Sequence, residues 1–234
     1  MKQTNNLHDA DMRTGDSHRA VCGAPWDILV PMIQRLGVFG GTFDPPHVGH
    51  LILASESLAQ LGLQKVLWVL TATPPHKQPN SITSLEHRLA MLRIAVGDDR
   101  AFEISDVDMN RRGPHYTYDS LTLLRHRYPD AALALILGGD SLHDLPGWYR
   151  PVDLVKMCDE VGVMRRPVDS IDLAALEKEL PGLTAKVRFV EAPLLEIASH
   201  EIRSRARRGL PFRYFLPSAV YDYIIQHQLY LDTQ

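Results

Sequence analysis

Cysteine is scarce in this chain. Only Cys22 and Cys158 occur, far apart and in no CxxC spacing, so neither a disulfide framework nor a structural zinc site is expected. Long hydrophobic runs are missing too. No window nears the roughly 18 apolar residues that a membrane-spanning helix needs. Charge of one sign is lacking: Lys+Arg is 25 against Asp+Glu 28, a net charge of -3. That balance argues against a protein that coats nucleic acid, although a local basic patch stays open. Two glycine fingerprints are also absent, the G-x-G-x-x-G of dinucleotide sites and the G-x-x-x-x-G-K-[ST] of P-loops. Residues 1–27 carry no basic start leading into an apolar stretch, so no secretory leader is read. Repeats and low-complexity tracts do not occur. What remains is the expectation of a cytoplasmic, reduced, globular protein. Its 45% hydrophobic and 23% charged residues fit that class, and 234 residues suffice for a real core.

The first 31 residues are polar and show no period of 2 or 3.6, and they read as a flexible extension. Residues 32–234 read as one domain whose helical C-terminal part begins at residue 196. Strands and helices alternate there. Leu36–Gly40, Lys65–Leu70, Phe102–Val107, Ala132–Leu137, Glu160–Met164 and Val187–Val190 read as strands. Val48–Leu61, Leu85–Val96, Tyr118–Tyr128, Pro151–Met157, Leu173–Leu180, Ser199–Arg208 and Pro217–Gln228 read as helices, with Ser84 as an N-cap. The alternation predicts an α/β fold, a Rossmann-like parallel sheet with helices on both faces. In such sheets ligands bind beyond the C-terminal strand ends.

The segment after the first strand is the most informative. It reads Gly40-Gly41-Thr42-Phe43-Asp44-Pro45-Pro46-His47-Val48-Gly49-His50. Two glycines let backbone amides approach a ligand. His47 and His50 are three apart at a helix N-terminus, so their rings share a face. Gly49 leaves room for a nucleotide against the helix. Free amides and the positive end of the helix dipole favour a phosphate there. Imidazoles add donors, and a nearby phosphate favours their charged form. Further chemistry follows the other strands: Pro74-Pro75-His76-Lys77, Gly113-Pro114-His115-Tyr116-Thr117, Gly138-Gly139-Asp140-Ser141, Gly147-Trp148-Tyr149 and Arg165-Arg166-Pro167. The stretch from Ser199 to Arg213 carries Arg203, Arg205, Arg207, Arg208 and Arg213 against Glu201.

In this order and spacing, over residues 32–229, these elements resemble bacterial nicotinate-nucleotide adenylyltransferases of the HxGH nucleotidylyltransferase superfamily. The resemblance implies that the adenylyl group of ATP is transferred to nicotinic acid mononucleotide, releasing pyrophosphate, in NAD biosynthesis. It implies His47, His50 and Arg203 as catalytic residues. Gly40, Gly41, Thr42, Phe43, Gly49, Gly138, Asp140 and Ser199 would bind ATP. Lys77, Thr117, Trp148, Tyr149 and Arg166 would bind the mononucleotide. Trp148 would stack on the pyridine ring, and backbone amides at Thr117 and Tyr149 would prefer the acid over the amide. Mg2+ would arrive mainly on the ATP phosphates, with no protein metal site. Neither nucleic acid nor membrane is an expected partner, and homo-oligomerisation stays open.

One departure stands out. Where the family reads close to I-S-[SA]-T-x-I-R, this chain reads Ile197-Ala198-Ser199-His200-Glu201-Ile202-Arg203. Two other readings remain beside the main one: another HxGH adenylyl or cytidylyl transferase, and a non-catalytic nucleotide-binding regulator. A class I aminoacyl-tRNA synthetase fragment would need a KMSKS-like loop, which the sequence lacks.

Overall fold

Strand side chains point alternately to opposite faces, and here both faces are apolar. Leu36, Val38, Leu67, Val69, Leu133, Leu135 and Leu137 enter one core, while Phe39, Val66, Trp68, Leu70, Ala134 and Ile136 enter another. Such strands are stable only when helices cover both sides. The computed structural model describes residues 34–75, 82–165, 171–193 and 195–231. The expected extension over 1–31, and Lys77 and Arg166, lie outside those residues.

The elements in order are β1 (Arg35–Gly41), α1 (Val48–Gln60), β2 (Lys65–Leu70), α2 (Leu85–Val96), β3 (Phe102–Ser105), α3 (Thr117–Arg127), β4 (Ala132–Gly138), α4 (Gly139–Asp144), α5 (Pro151–Met157), β5 (Glu160–Met164), α6 (Leu173–Glu179), α7 (Leu183–Lys186), β6 (Val187–Val190), α8 (Ser199–Arg207) and α9 (Ser218–Gln226). The six strands form one sheet in the order β3-β2-β1-β4-β5-β6, parallel at every pairing. The order reverses between β1 and β4, where chain segments leave in opposite directions and open a crevice. Helices α1 and α2 supply Leu53, Ala54, Leu92 and Val96 to one core, and α3 and α5 supply Leu121, Leu124, Leu154 and Val155 to the other. The expected α/β architecture is therefore present.

A third, smaller core joins α8 and α9 to the outer side of α2 through Met91, Ile202, Ala206, Phe212, Leu216, Val220 and Ile224. Ser84 caps α2, its hydroxyl accepting from the His87 N–H at 3.4 Å. The third strand is shorter than its alternation suggests, because the chain turns after Ser105 and Met109 N donates to Asp106 O at 2.9 Å. Helices α4 and α7, six and four residues long, were not anticipated; so few residues show no period. Cys158 is buried, and burial pushes its thiol up to about 12, which leaves it unreactive. Among the described residues no helix is long and apolar enough to cross a membrane.

The third core can be tested by neighbouring isoleucines. Ile224 is fully buried and Ile225 is 41% exposed. Ile224→Ala is expected to cost about 2–5 kcal/mol in chemical denaturation, and Ile225→Ala about 0.5 kcal/mol or less.

Candidate active site

A cleft of about 470 Å³ opens at the reversal point of the sheet. Its floor is the ends of β1 and β4, and its walls are the N-termini of α1, α3 and α4 and the turn that carries Trp148 and Tyr149.

The loop after β1 is held tightly. Phe43 takes φ +46, and its ring packs so closely on Gly41 that a Cβ there would lie 2.7 Å from it. Phe43 also meets Phe39, Trp68 and His50 with ring centroids 5.1–5.4 Å apart. Its side chain is thus a buried prop under the loop, not a lining of the cleft. His47 forms the N-cap of α1 in extended conformation. Its ring stacks on that of His50 with centroids 3.7 Å apart. Gly49 leaves room beside them, since a Cβ there would come within a tight 3.1 Å of the His47 ring.

The His47 N–H donates to His50 Nδ1 at 3.1 Å. That bond uses the Nδ1 lone pair and fixes the direction of the His50 ring.

The opposite wall is sewn together by His115. Its Nδ1 accepts from Thr73 N at 3.0 Å, its own N–H donates to Thr73 O at 3.1 Å, and its Nε2 lies 3.1 Å from Arg111 O. Arg111 and Ser120 in turn hold Asp108, at 3.0 and 2.6 Å. This network seats Thr117 as the first residue of α3, where an α-helix leaves its amides without intrahelical partners. Tyr116 stacks on Tyr149 with centroids 4.4 Å apart. Arg150, at φ +52, lies 4.3 Å over the Tyr118 ring and bonds Asp153 at 2.8 Å. The Trp148–Tyr149 turn is pinned from below in this way.

The described residues that line the cleft include His47, His50, Gly40, Gly41, Thr42, Gly49, Thr117, Gly138, Asp140, Trp148 and Tyr149. Eleven expected positions are thus brought together. Phe43, Ser199 and Arg203 are not among the lining residues. The Ser199 hydroxyl donates to Pro45 O at 2.9 Å, and Arg203 Nη1 donates to Asp44 O at 2.6 Å. Both brace the loop from behind. Ala198 caps α8 without a side-chain bond, and His200 is exposed in its first turn.

The cytidylyltransferase-like family model matches residues 38–205. A Thermomicrobium roseum protein named probable nicotinate-nucleotide adenylyltransferase is 46% identical over 202 residues, 86% of this chain and 94% of its own length. The Bacillus subtilis nicotinate-nucleotide adenylyltransferase is 37% identical over 198 residues, 85% of this chain and 99% of its own. The chain belongs to the nicotinate-nucleotide adenylyltransferase family. In fold it also matches Plasmodium falciparum nicotinic acid mononucleotide adenylyltransferase complexed with NaAD, with TM-score 0.72 and 22% identity over 84% of this chain and 97% of that one.

Sequence reasoning missed Arg88. This side chain of α2 is only 2% exposed and donates to four carbonyls: Thr83 at 2.9 Å, Thr42 at 3.1 Å, Thr71 at 2.9 Å and Ala72 at 2.8 Å. Burial pulls its guanidinium below the usual range, and the Asp44 carboxylate opposes that pull. A signal was available, because Arg88 precedes Leu92 and Val96 by four and eight residues on the buried face of α2. A charge on an apolar stripe asks for partners.

Arg88→Lys keeps the charge but cannot match a forked donor set. Leaving buried carbonyls unpaired is expected to cost about 2–3 kcal/mol, measured by denaturant midpoint, with kcat falling in step.

Proposed function

We propose that this protein joins ATP and nicotinic acid mononucleotide to give nicotinic acid adenine dinucleotide and pyrophosphate, a step of NAD biosynthesis. The observation that carries this reading is the paired His47–His50 face at the N-terminus of α1, set in one cleft with the Thr117 amide and Trp148. Relatives that carry the adenylyltransferase name over nearly their full lengths support it.

The mononucleotide's phosphate oxygen attacks the α-phosphorus of ATP in line. A new P–O bond forms, and the bond from the α-phosphorus to the bridging oxygen breaks as pyrophosphate leaves. The attacking phosphate is already anionic, so no general base is needed, and catalysis rests on alignment and charge stabilisation. His50 donates its Nε2–H to the triphosphate, and the first amides of α1 and the Gly40–Thr42 backbone add donors. His47, stacked on His50, fixes that ring's direction.

Asp140 accepts from a ribose hydroxyl of ATP. Trp148 and Tyr149 take the flat pyridine ring, and the Thr117 amide takes its carboxylate, which favours the acid over the uncharged amide. Lys77 and Arg166 are assigned to the mononucleotide on the family resemblance alone. Arg203 and Ser199 act one step back, by holding the backbone at Asp44 and Pro45.

Among the described residues no group of three or more His, Cys, Asp or Glu could hold a metal. The carboxylates of the cleft lining are Asp140 and Asp144. That donor set fits Mg2+ carried mainly by phosphate oxygens. Bound there, it supplies charge neutralisation at the triphosphate. Two widely spaced cysteines, one of them buried, accord with a reducing, cytoplasmic setting.

Purified protein with ATP, Mg2+ and the acid mononucleotide is expected to release pyrophosphate, and the amide mononucleotide to react far more slowly. No release with either substrate sinks the enzyme reading, and equal rates sink the acid preference. His50→Ala is expected to lower kcat by about 10²–10³, measured at saturating substrates with the thermal midpoint as a check on folding.

A further inference from the structure

The last described turn of the chain reaches back to the loop that carries His47 and His50. Helix α9 ends at Gln226, and two non-glycine residues just beyond it, Gln228 and Tyr230, take φ +52 and +65. Gln228 N donates to Ile225 O and Leu229 N to Ile224 O, at 3.2 and 3.0 Å. These left-handed residues turn the chain so that Tyr230 points inward. Non-glycine residues persist in that region only where their surroundings hold them there. Here the holding contact is explicit: Tyr230 Oη donates to Asp44 Oδ1 at 2.6 Å.

Asp44 is a junction. It is 2% exposed, sits three residues before His47, and its second carboxylate oxygen accepts from Thr83 N at 3.1 Å. Its carbonyl accepts from Arg203 at 2.6 Å. A buried carboxylate needs every donor it can find. Burial, and then the neighbouring Asp44 charge, push the Tyr230 hydroxyl well above its usual range. It therefore stays a donor at any working pH, and its bond to the carboxylate is charge-assisted. Resting on the adenylyltransferase reading, we propose that Tyr230 is a positioning residue for adenylyl transfer, fixing Asp44 and through it the direction of the His47–His50 face. The C-terminal tail is in this view part of the active site, although none of its atoms lines the described cleft.

Tyr230→Phe keeps the ring and removes only the hydroxyl. The expected result is a kcat lower by about tenfold, with KM for the mononucleotide within about twofold. The thermal midpoint should stay within a few degrees. In an Asp44→Asn background the same substitution should add little, because the two changes act through one bond. An activity-independent readout accompanies these: the imidazole nitrogen resonances of His50 should shift in Tyr230→Phe. Wild-type kcat together with unmoved His50 resonances overturns the proposal. So does a loss that is fully additive with Asp44→Asn, or one that appears in KM alone. If the wild-type protein itself releases no pyrophosphate, the functional reading falls, and the His50 resonances still decide whether Tyr230 sets the loop.

Discussion

Three carbonyls at the mouths of β1 and β2, and a fourth before α2, depend on one guanidinium. Where these strands end, the chain must leave the sheet to build the ligand loops, and its carbonyls lose their ladder partners. Arg88 answers for Thr42, Thr71, Ala72 and Thr83 together. A buried cation is costly unless its donors are matched and a counter-charge is near. Here the four acceptors satisfy the fork, and Asp44 supplies the charge. The cost of burying Arg88 and the order of the loops are two sides of one arrangement. A looser loop would leave that cation unpaired, so the loop stays in place.

That rigidity suits the chemistry. A phosphate attacking a phosphate needs no proton removed, so the site gains most from donors that do not reorganise as charge moves. The hydrogen bond from the His47 amide to Nδ1 holds the His50 ring in one direction. Among the described residues that line the cleft there is no lysine or arginine. The glycine-rich loop and paired histidines lie on the β1–α1 side, and the carboxylates Asp140 and Asp144 lie on the α4 side. The two walls thus differ in charge character.

Much of this was legible in the residues. Apolar runs and 3.6 spacing gave six strands and the longer helices to within a few residues, because buried faces leave a periodic trace. The HxGH segment and the Trp148 turn announced the cleft, because glycines, paired histidines and an aromatic between two strands serve little structural purpose. The supports were harder to read. Arg88 binds backbone carbonyls 5 to 46 positions away in sequence, and Asp44 meets Tyr230 across 186. Backbone acceptors have no residue identity, so no spacing could point to them. Arg203 and Ser199 show the complementary difficulty. A basic, hydroxyl-bearing helix start reads as a phosphate site, yet both side chains are engaged by the backbone of the neighbouring loop.

The C-terminal helices explain why the departure at Ala198 and His200 need not undo the site. Helices α8 and α9 have their own small core and reach the sheet through α2. Three contacts from this part then converge on adjacent residues of the catalytic loop: Ser199 on Pro45, Arg203 on the Asp44 carbonyl, and Tyr230 on the Asp44 carboxylate. Arg88 grips the same loop two residues earlier, at Thr42. The loop is therefore held from α2 and from the C-terminal helices that pack on it. Neither Ala198 nor His200 contributes a bond to that convergence, since one is a methyl at the N-cap and the other is exposed. The geometry at Asp44 survives their change because it is held by the serine between them and the arginine one helical turn on.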